Sequence, residues 1–465
     1  MSTTDTTPRG ILSGPLLWST VGTNALIFLG AFDALAVTTI MPTVARELDG
    51  AALFSAAFAA TLAASVVGMV VGGGWVDRRG PTGPLVAAVG IFVVGLVVSA
   101  TAVDMPLFVV GRFLQGLGNG AMIVAIYVIV ARLYPVELRT RIFASFAAAW
   151  VIPGLVGPAV AGAVSDSIGW PWVFLGIGAL VVVGTGAVVP ALARLARTPP
   201  PEDTTQNEIV PTPNSRLVRN AILSVVVALA VMAVSVAAEF SIGIAWIVGA
   251  AGIVVVVVAV RPLLPARTLL AEPGIGSSIL VRAAAAAAFF ATEARLPYLL
   301  QERYGMPSWA AGLVLTVGAV AWAAASQVMG RLSGRLSEAW TIGAGGVMVA
   351  SGIVVEMLTA FLHLHPVVAG VGWFVAAAGM GMLYPLVSTL VLGYSRTSEQ
   401  GFNSSALSMM ESVAGATGIA VAGLIFLSAG GVDGANSFAL SFLFSAVVAA
   451  LVVVLARRVV RKPAD

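Results

Sequence analysis

From residue 17 to residue 457 the sequence is a succession of apolar runs, each about twenty residues or longer, separated by short polar loops. As a helix, such a run is roughly 30 Å long, the thickness of a bilayer's hydrocarbon core. Lipid offers the backbone no hydrogen bonds. Only helices and closed barrels therefore span it. The alternating pattern of a barrel is absent, so the runs predict helices. Fourteen can be counted, at about 17–44, 51–75, 84–102, 105–133, 140–165, 170–193, 218–238, 242–260, 275–300, 308–331, 339–360, 366–394, 401–428 and 436–457. Composition agrees: 59% of residues are hydrophobic and 10% charged, against roughly 25% charged in soluble domains. An all-α integral membrane protein is expected, most of it inside the bilayer.

Loop charge orients it. Arg and Lys are retained on the cytoplasmic side of membrane proteins. With the N-terminus inside, Arg78, Arg79, Arg132, Arg194, Arg261, Arg331, Arg396, Arg457 and Lys462 fall at the inner boundary. Arg46 and Arg303 fall outside, as do Asp104, Asp166 and Asp433. Residues 194–217, rich in Pro, Thr and acids, read as a solvated linker. The expected plan has a cytoplasmic tail at 1–16 and an N-terminal six-helix bundle at 17–193. The cytoplasmic linker 194–217 and two extra transmembrane helices at 218–260 follow. A C-terminal six-helix bundle at 275–457 and a cytoplasmic tail at 458–465 complete it. If the middle pair were a re-entrant hairpin, twelve spans would keep the same orientation. Two pseudo-symmetric six-helix bundles around a cavity are the architecture of alternating-access transporters.

Within the fourth run, Arg112, Gln115 and Asn119 stand at i, i+3 and i+7, on one helical stripe. An arginine stays charged at any ordinary pH. Placing it in hydrocarbon costs about 2.5 kcal/mol or more. Either it snorkels to the headgroups, or it faces an internal cavity and an acid. The polar residues that continue its stripe inward favour the cavity.

Other chemistries lack their parts. There is no cysteine, so disulfides, thiolate metal sites and thiol nucleophiles are excluded. The only histidines, His363 and His365, lie in one short loop. No metal cluster, nucleotide motif or catalytic carboxylate pair is legible, so neither cofactor nor enzymatic activity is expected. The net charge of +3 is too small and too dispersed to suggest nucleic acid. The N-terminus lacks the features of a signal peptide.

Several segments resemble the major facilitator superfamily. GGGWVDRRGPTGPL, at 72–85, is similar to its loop signature Gly-x-x-x-Asp-Arg-x-Gly-Arg-Arg, through Gly73, Asp77, Arg78 and Gly80. Pro81 and Thr82 replace the closing basic pair. A weaker echo, GRLSGR, lies at 330–335, with Gly334 at the acid's place. Arg112, Gln115, Gly116 and Gly118 resemble the superfamily's Arg-x-x-Gln-Gly-x-Gly pattern. PGLVGPAVAG, at 153–162, resembles the antiporter pattern Gly-x-x-x-Gly-Pro-x-x-Gly-Gly, through Gly157, Pro158 and Gly162. The first run looks like the acid-to-proline segment of the fourteen-helix drug–proton antiporters, with Asp33 and Pro42 in place. GWPWVFLGIG at 169–178 and the segment 296–313 also resemble that group. The resemblance implies gating or conformational roles for Gly73, Asp77, Arg78, Gly80, Gly157, Pro158 and Gly162. It also implies that the first and fourth helices are neighbours.

A proton-driven transporter needs an acid whose proton affinity responds to burial, a nearby cation and substrate. Asp33, Glu293, Glu356 and Glu411 lie within the runs of the two bundles. Asp33 is the leading proton carrier, paired with Arg112, with Glu293 or Glu411 assisting; Glu356 reads as interfacial. Gln115, Asn119, Trp150, Phe289, Phe290 and Tyr298 are the candidate lining of a substrate cavity, since aromatic surfaces suit loosely specified apolar ligands. The expected function is export of lipophilic or amphipathic small molecules against protons. Alternatives are export of a lipid or lipid-linked glycan, or a non-transporting sensor or scaffold. The expected partners are the substrate, protons and the lipid bilayer, with the chain a monomer. Lys462 is the single lysine among many arginines. With heavy Ala, Val and Gly use, this suggests a GC-rich bacterium and its inner (cytoplasmic) membrane.

Overall fold

Each predicted run becomes a helix in the computed structural model, which describes residues 10–12, 14–195, 214–237, 240–332, 335–396 and 399–460. Most of the expected linker and both tails, together with Gly334, lie outside the described residues. The helices are α1 (Leu17–Glu47), α2 (Phe54–Arg79), α3 (Thr82–Ala100), α4 (Met105–Leu133), α5 (Val136–Ile168), α6 (Pro171–Leu195) and α7 (Asn214–Val236). They continue as α8 (Ile242–Val260), α9 (Ile275–Glu302), α10 (Ser308–Arg331), α11 (Glu338–Leu362), α12 (Pro366–Tyr394), α13 (Gln400–Ser428) and α14 (Ser437–Val459). Among the described residues, fourteen helices are long and apolar enough to cross a membrane, α7 and α8 among them.

Local chemistry sets several helix ends. The Asp104 carboxylate accepts the Leu107 N–H at 2.8 Å and caps α4. Ser337 does the same for α11 through the Trp340 N–H at 3.3 Å. Between α2 and α3 the chain turns at Gly80, whose φ of +76° favours glycine. The Arg132 guanidinium lies 3.4 Å from where a Cβ on Gly80 would sit. The Asp77 carboxyl feels the charge of the same arginine. The signature loop is thus tied to the end of α4.

The two halves pack alike. In the first, α1 lies against α5 and α6, and α4 against α2 and α3. In the second, α9 lies against α13 and α14, and α12 against α10 and α11. Shifting the numbering by eight carries one set of contacts onto the other. Two seams join the halves, α5 with α10 and α2 with α13. Helix α7 packs on both α2 and α13 and covers the second seam, and α8 packs on α7. Small residues let backbones approach within each half. Gly116 meets the backbone of Thr61, and Gly120 that of Ser65. A larger side chain at either would force α4 from α2.

The halves are fastened at one end, where α1, α5 and α9 finish and α2 and α10 begin. There the Gln301 amide donates to the Thr39 carbonyl at 2.9 Å. Thr43 and Ser308 hydroxyls meet at 3.2 Å. Arg46 pairs with Glu302 at 3.5 Å, and the Trp309 N–H reaches Asp166 at 3.3 Å. The α5 stripe of Gly162, Pro158 and Gly154 presses on α10 at Trp309, Gly312 and Ala319. One turn further on the same stripe, Trp150 is 46% exposed. At that level the α5 stripe is no longer fully covered by α10, and the end beyond it is the splayed end.

Candidate functional site

Among the described residues, two ion pairs are buried in the helices, one in each half. Arg112 reaches from α4 to Asp33 on α1, with Nη1 3.1 Å from Oδ2. Both side chains are 3% exposed. The same Nη1 donates to the Gln115 Oε1. The Gln115 amide nitrogen in turn donates to the Ser99 Oγ at 2.9 Å and the Gly95 carbonyl at 3.2 Å, both on α3. Stripe geometry makes this possible, since residues three apart face the same way on a helix. Asn119, two turns on from Arg112, packs with its amide oxygen against α1 at Gly30. Asp33 Oδ1 and Arg112 Nε have no hydrogen-bond partner among the described residues. Such groups favour any state that offers them one.

The second pair joins α9 to α13. Arg282 Nη1 lies 3.1 Å from Glu411 Oε2. Its Nη2 donates to the Tyr384 carbonyl at 2.8 Å and to the Ser388 hydroxyl, both on α12. The Tyr384 hydroxyl donates to the other Glu411 oxygen at 2.8 Å. The guanidinium stands 3.3 Å from the Tyr384 ring centre, a cation–π contact. Arg282 is 2% exposed and Glu411 16%. Sequence reasoning passed over Arg282, although the cost that singled out Arg112 applies equally to an arginine in the run 275–300.

The other predicted residues divide. Glu293 is half-buried on α9. It lies eleven residues past Arg282, and so on the same stripe, and joins neither ion pair. Phe290 reaches the seam between halves, against Gly415 and Leu62. Trp150 is exposed where α5 leaves α10. Phe289 and Tyr298 depart from their expected cavity role. Phe289 is 3% exposed and stacked on Trp373, centroids 4.5 Å apart, with Trp322 at its edge. Tyr298 is 2% exposed and stacked on Phe54 at 4.4 Å, beside Phe426 and Phe438. Burying aromatic area against aromatic area outweighs displaying it. Glu356, expected at the interface, is fully buried on α11 against Gly372. Neither of its carboxyl oxygens has a partner among the described residues. Arg295, two residues past Glu293 on α9, is buried. It hydrogen-bonds Ser55 across the seam and lies 4.4 Å from the Phe426 ring centre.

The glycine and proline motif of α5 forms part of the seam. A Cβ on Gly162 would stand 2.6 Å from the Trp309 backbone, and the Pro158 carbonyl lies against Gly312. Gly157 sits against Phe32 of α1. Gly73 is half-buried near Val124, and Arg78 is exposed at the end of α2. No group of three His, Cys, Asp or Glu among the described residues could hold a metal ion.

The family model described as Major Facilitator Superfamily matches residues 23–369 and 279–465. An uncharacterized MFS-type transporter of Mycobacterium tuberculosis is 31% identical over 201 residues, covering 41% of this chain and 29% of that protein. The MFS-type efflux pump MMF1 of Pseudozyma antarctica is 30% identical over 174 residues, covering 36% of this chain and 31% of that protein. These matches span less than a third of the relatives' own lengths. Among solved structures, a peptide transporter POT in complex with sulfate superposes with a TM-score of 0.66 at 16% identity, covering 95% of this chain and 94% of that one. A bacterial homologue of the lysosomal transporter Spinster, in an inward-facing and unoccupied conformation, gives 0.66 at 15% identity, covering 96% and 98%.

Proposed function

The chain belongs to the Major Facilitator Superfamily, and we propose that it is a proton-coupled secondary active exporter of lipophilic or amphipathic small molecules, working by alternating access. The observation that carries the reading is the buried pair Asp33–Arg112. An ion pair sealed from water adds little net stability, because desolvation offsets its attraction. As a switch it has a use. Protonating Asp33 removes the negative partner while Arg112 keeps its charge. The guanidinium then retains only Gln115, and the packing of α1 against α4 is free to change. Substrate and proton exclude one another if substrate binding favours one of these two states.

Export is favoured by the relatives whose names say efflux pump, in Pseudozyma antarctica and Dothistroma septosporum. In this reading the protein sits as a monomer in a bacterial cytoplasmic membrane, with both termini inside. The fastened end is then the outer one, and the splayed end opens to the cytoplasm. Asn119, Trp150 and Phe290 line the route between halves; Gln115, expected there, is instead fully buried and bonded to Arg112 and to α3. Asp77, Arg78 and Gly80 act with Arg132 as a hinge at the inner surface.

The test is transport in proteoliposomes carrying an imposed proton gradient, with a fluorescent lipophilic dye as probe. Asp33→Asn is expected to abolish gradient-driven dye movement while the protein stays folded. Normal gradient-driven movement by that variant would overturn the assignment of Asp33.

A further inference from the structure

The cluster around Arg282 demands more of the chain than packing requires. Replacing a buried ion pair by apolar residues of similar volume is often neutral or stabilising. Yet three helices converge here: α9 supplies Arg282, α12 supplies Tyr384 and Ser388, and α13 supplies Glu411. Among the described residues, Arg282 and Tyr384 bond Glu411, and Tyr127 of α4 feels its charge at longer range.

The two ion pairs stand at different depths. Arg112 lies seven residues into α4, which starts at the fastened end. Arg282 lies seven residues into α9, which starts at the opposite end. At 1.5 Å per residue each guanidinium is rooted roughly 10 Å from its own end of the molecule. Their acids differ in access. Asp33 is 3% exposed, whereas Glu411 is 16% exposed. Tyr127, which feels the charge of Glu411, is 47% exposed. The acid of the second pair is thus partly exposed on the side of the splayed end, while the first pair is enclosed.

We infer that Glu411 is a second proton-exchange site, open to the splayed end while Asp33 is closed off, and that Arg282 is its positioning counter-charge. This rests on the proton-coupled reading. A proton from water forms an O–H bond at Glu411 Oε2, and the donor water or hydronium loses that bond. Arg282 Nη1 then loses its carboxylate, while Nη2 keeps the Tyr384 carbonyl and Ser388. Arg282 Nε has no partner among the described residues. Protonation therefore leaves a desolvated cation poised for rearrangement of α9 against α13.

The test needs neither substrate nor gradient. The full chain in lipid nanodiscs is treated with the hydrophobic carbodiimide dicyclohexylcarbodiimide, which couples to protonated, reachable carboxyls, across a range of pH. Adducts are located by mass spectrometry. The expected adduct is on Glu411 and not on Asp33; it fades as pH rises and is absent from Glu411→Gln. In Arg282→Met the fading moves to a proton concentration about 10- to 1000-fold lower, the range set by loss of a neighbouring opposite charge. Arg282→Lys restores most of the original profile, which a merely structural arginine would not require. If Arg282→Met does not fold, Tyr384→Phe, which removes one donor to Glu411, must still shift the profile in the same direction. Preferential labelling of Asp33, labelling of Glu411 that ignores pH, or unshifted profiles in these variants would overturn the inference. A failure of the proton-coupled reading would show separately, as normal gradient-driven transport by Asp33→Asn.

Discussion

Asp33 of α1 and Arg112 of α4 meet at 3.1 Å in a region where neither keeps more than 3% of its side chain exposed. Among the described residues, each still has a polar atom without a hydrogen-bond partner. The arrangement is therefore neither a solvated surface bridge nor a fully satisfied network. It holds two charges in a place where losing one alters the balance of the whole helix pair.

Removing one member of this pair leaves the other uncompensated, and that is expected to cost about 3–5 kcal/mol. Arg112→Met should lower the thermal midpoint of the detergent-solubilised protein accordingly. The double variant Asp33→Leu with Arg112→Met should be more stable than Arg112→Met alone. A double variant no more stable than that single one would mean that the charges are not energetically coupled.

The fastened end can be locked. Thr43 and Ser308 face each other with hydroxyls 3.2 Å apart, and the chain has no cysteine to confuse the result. Thr43→Cys with Ser308→Cys should cross-link under mild oxidant, stop dye transport, and recover it on reduction. Undiminished transport by the cross-linked protein would show that this end need not open.

Gly162 gives the seam its closeness, since an added Cβ would stand 2.6 Å from the Trp309 backbone. Gly162→Val should wedge α5 from α10 and lower the Thr43→Cys/Ser308→Cys cross-linking yield several-fold. Gly176→Ala is the control: nothing lies within 4 Å of its added Cβ. It should leave the yield unchanged.

Phe289 separates packing from ligand binding. Its ring is enclosed by Trp322 and Trp373. Phe289→Ala should therefore cost about 3–5 kcal/mol of stability without changing which dyes are transported. Measuring thermal midpoint beside dye specificity tests this. A change in specificity at unchanged stability would return Phe289 to the cavity.

The sequence alone determined the helices and the need for an interior place for Arg112. Both follow from the free energy of moving groups from water to lipid, which accrues residue by residue along the run. Composition and spacing suffice to read it. The stripe Arg112, Gln115 and Asn119 was legible for the same reason, because a helix fixes which residues share a face. The resemblance in the first run singled out Asp33 as the acid expected beside Arg112. The tertiary structure decided which partners the remaining residues took. Glu411 found Arg282, 129 residues away, and Arg295 crossed to Ser55 on α2. Phe289 and Tyr298 turned into aromatic stacks, and Glu356 into the interior of the second half. Hydropathy says only that such side chains leave water. Where they go depends on which helix faces which and at what depth. That is settled by close packing between helices far apart in the chain, a property no single run of residues contains.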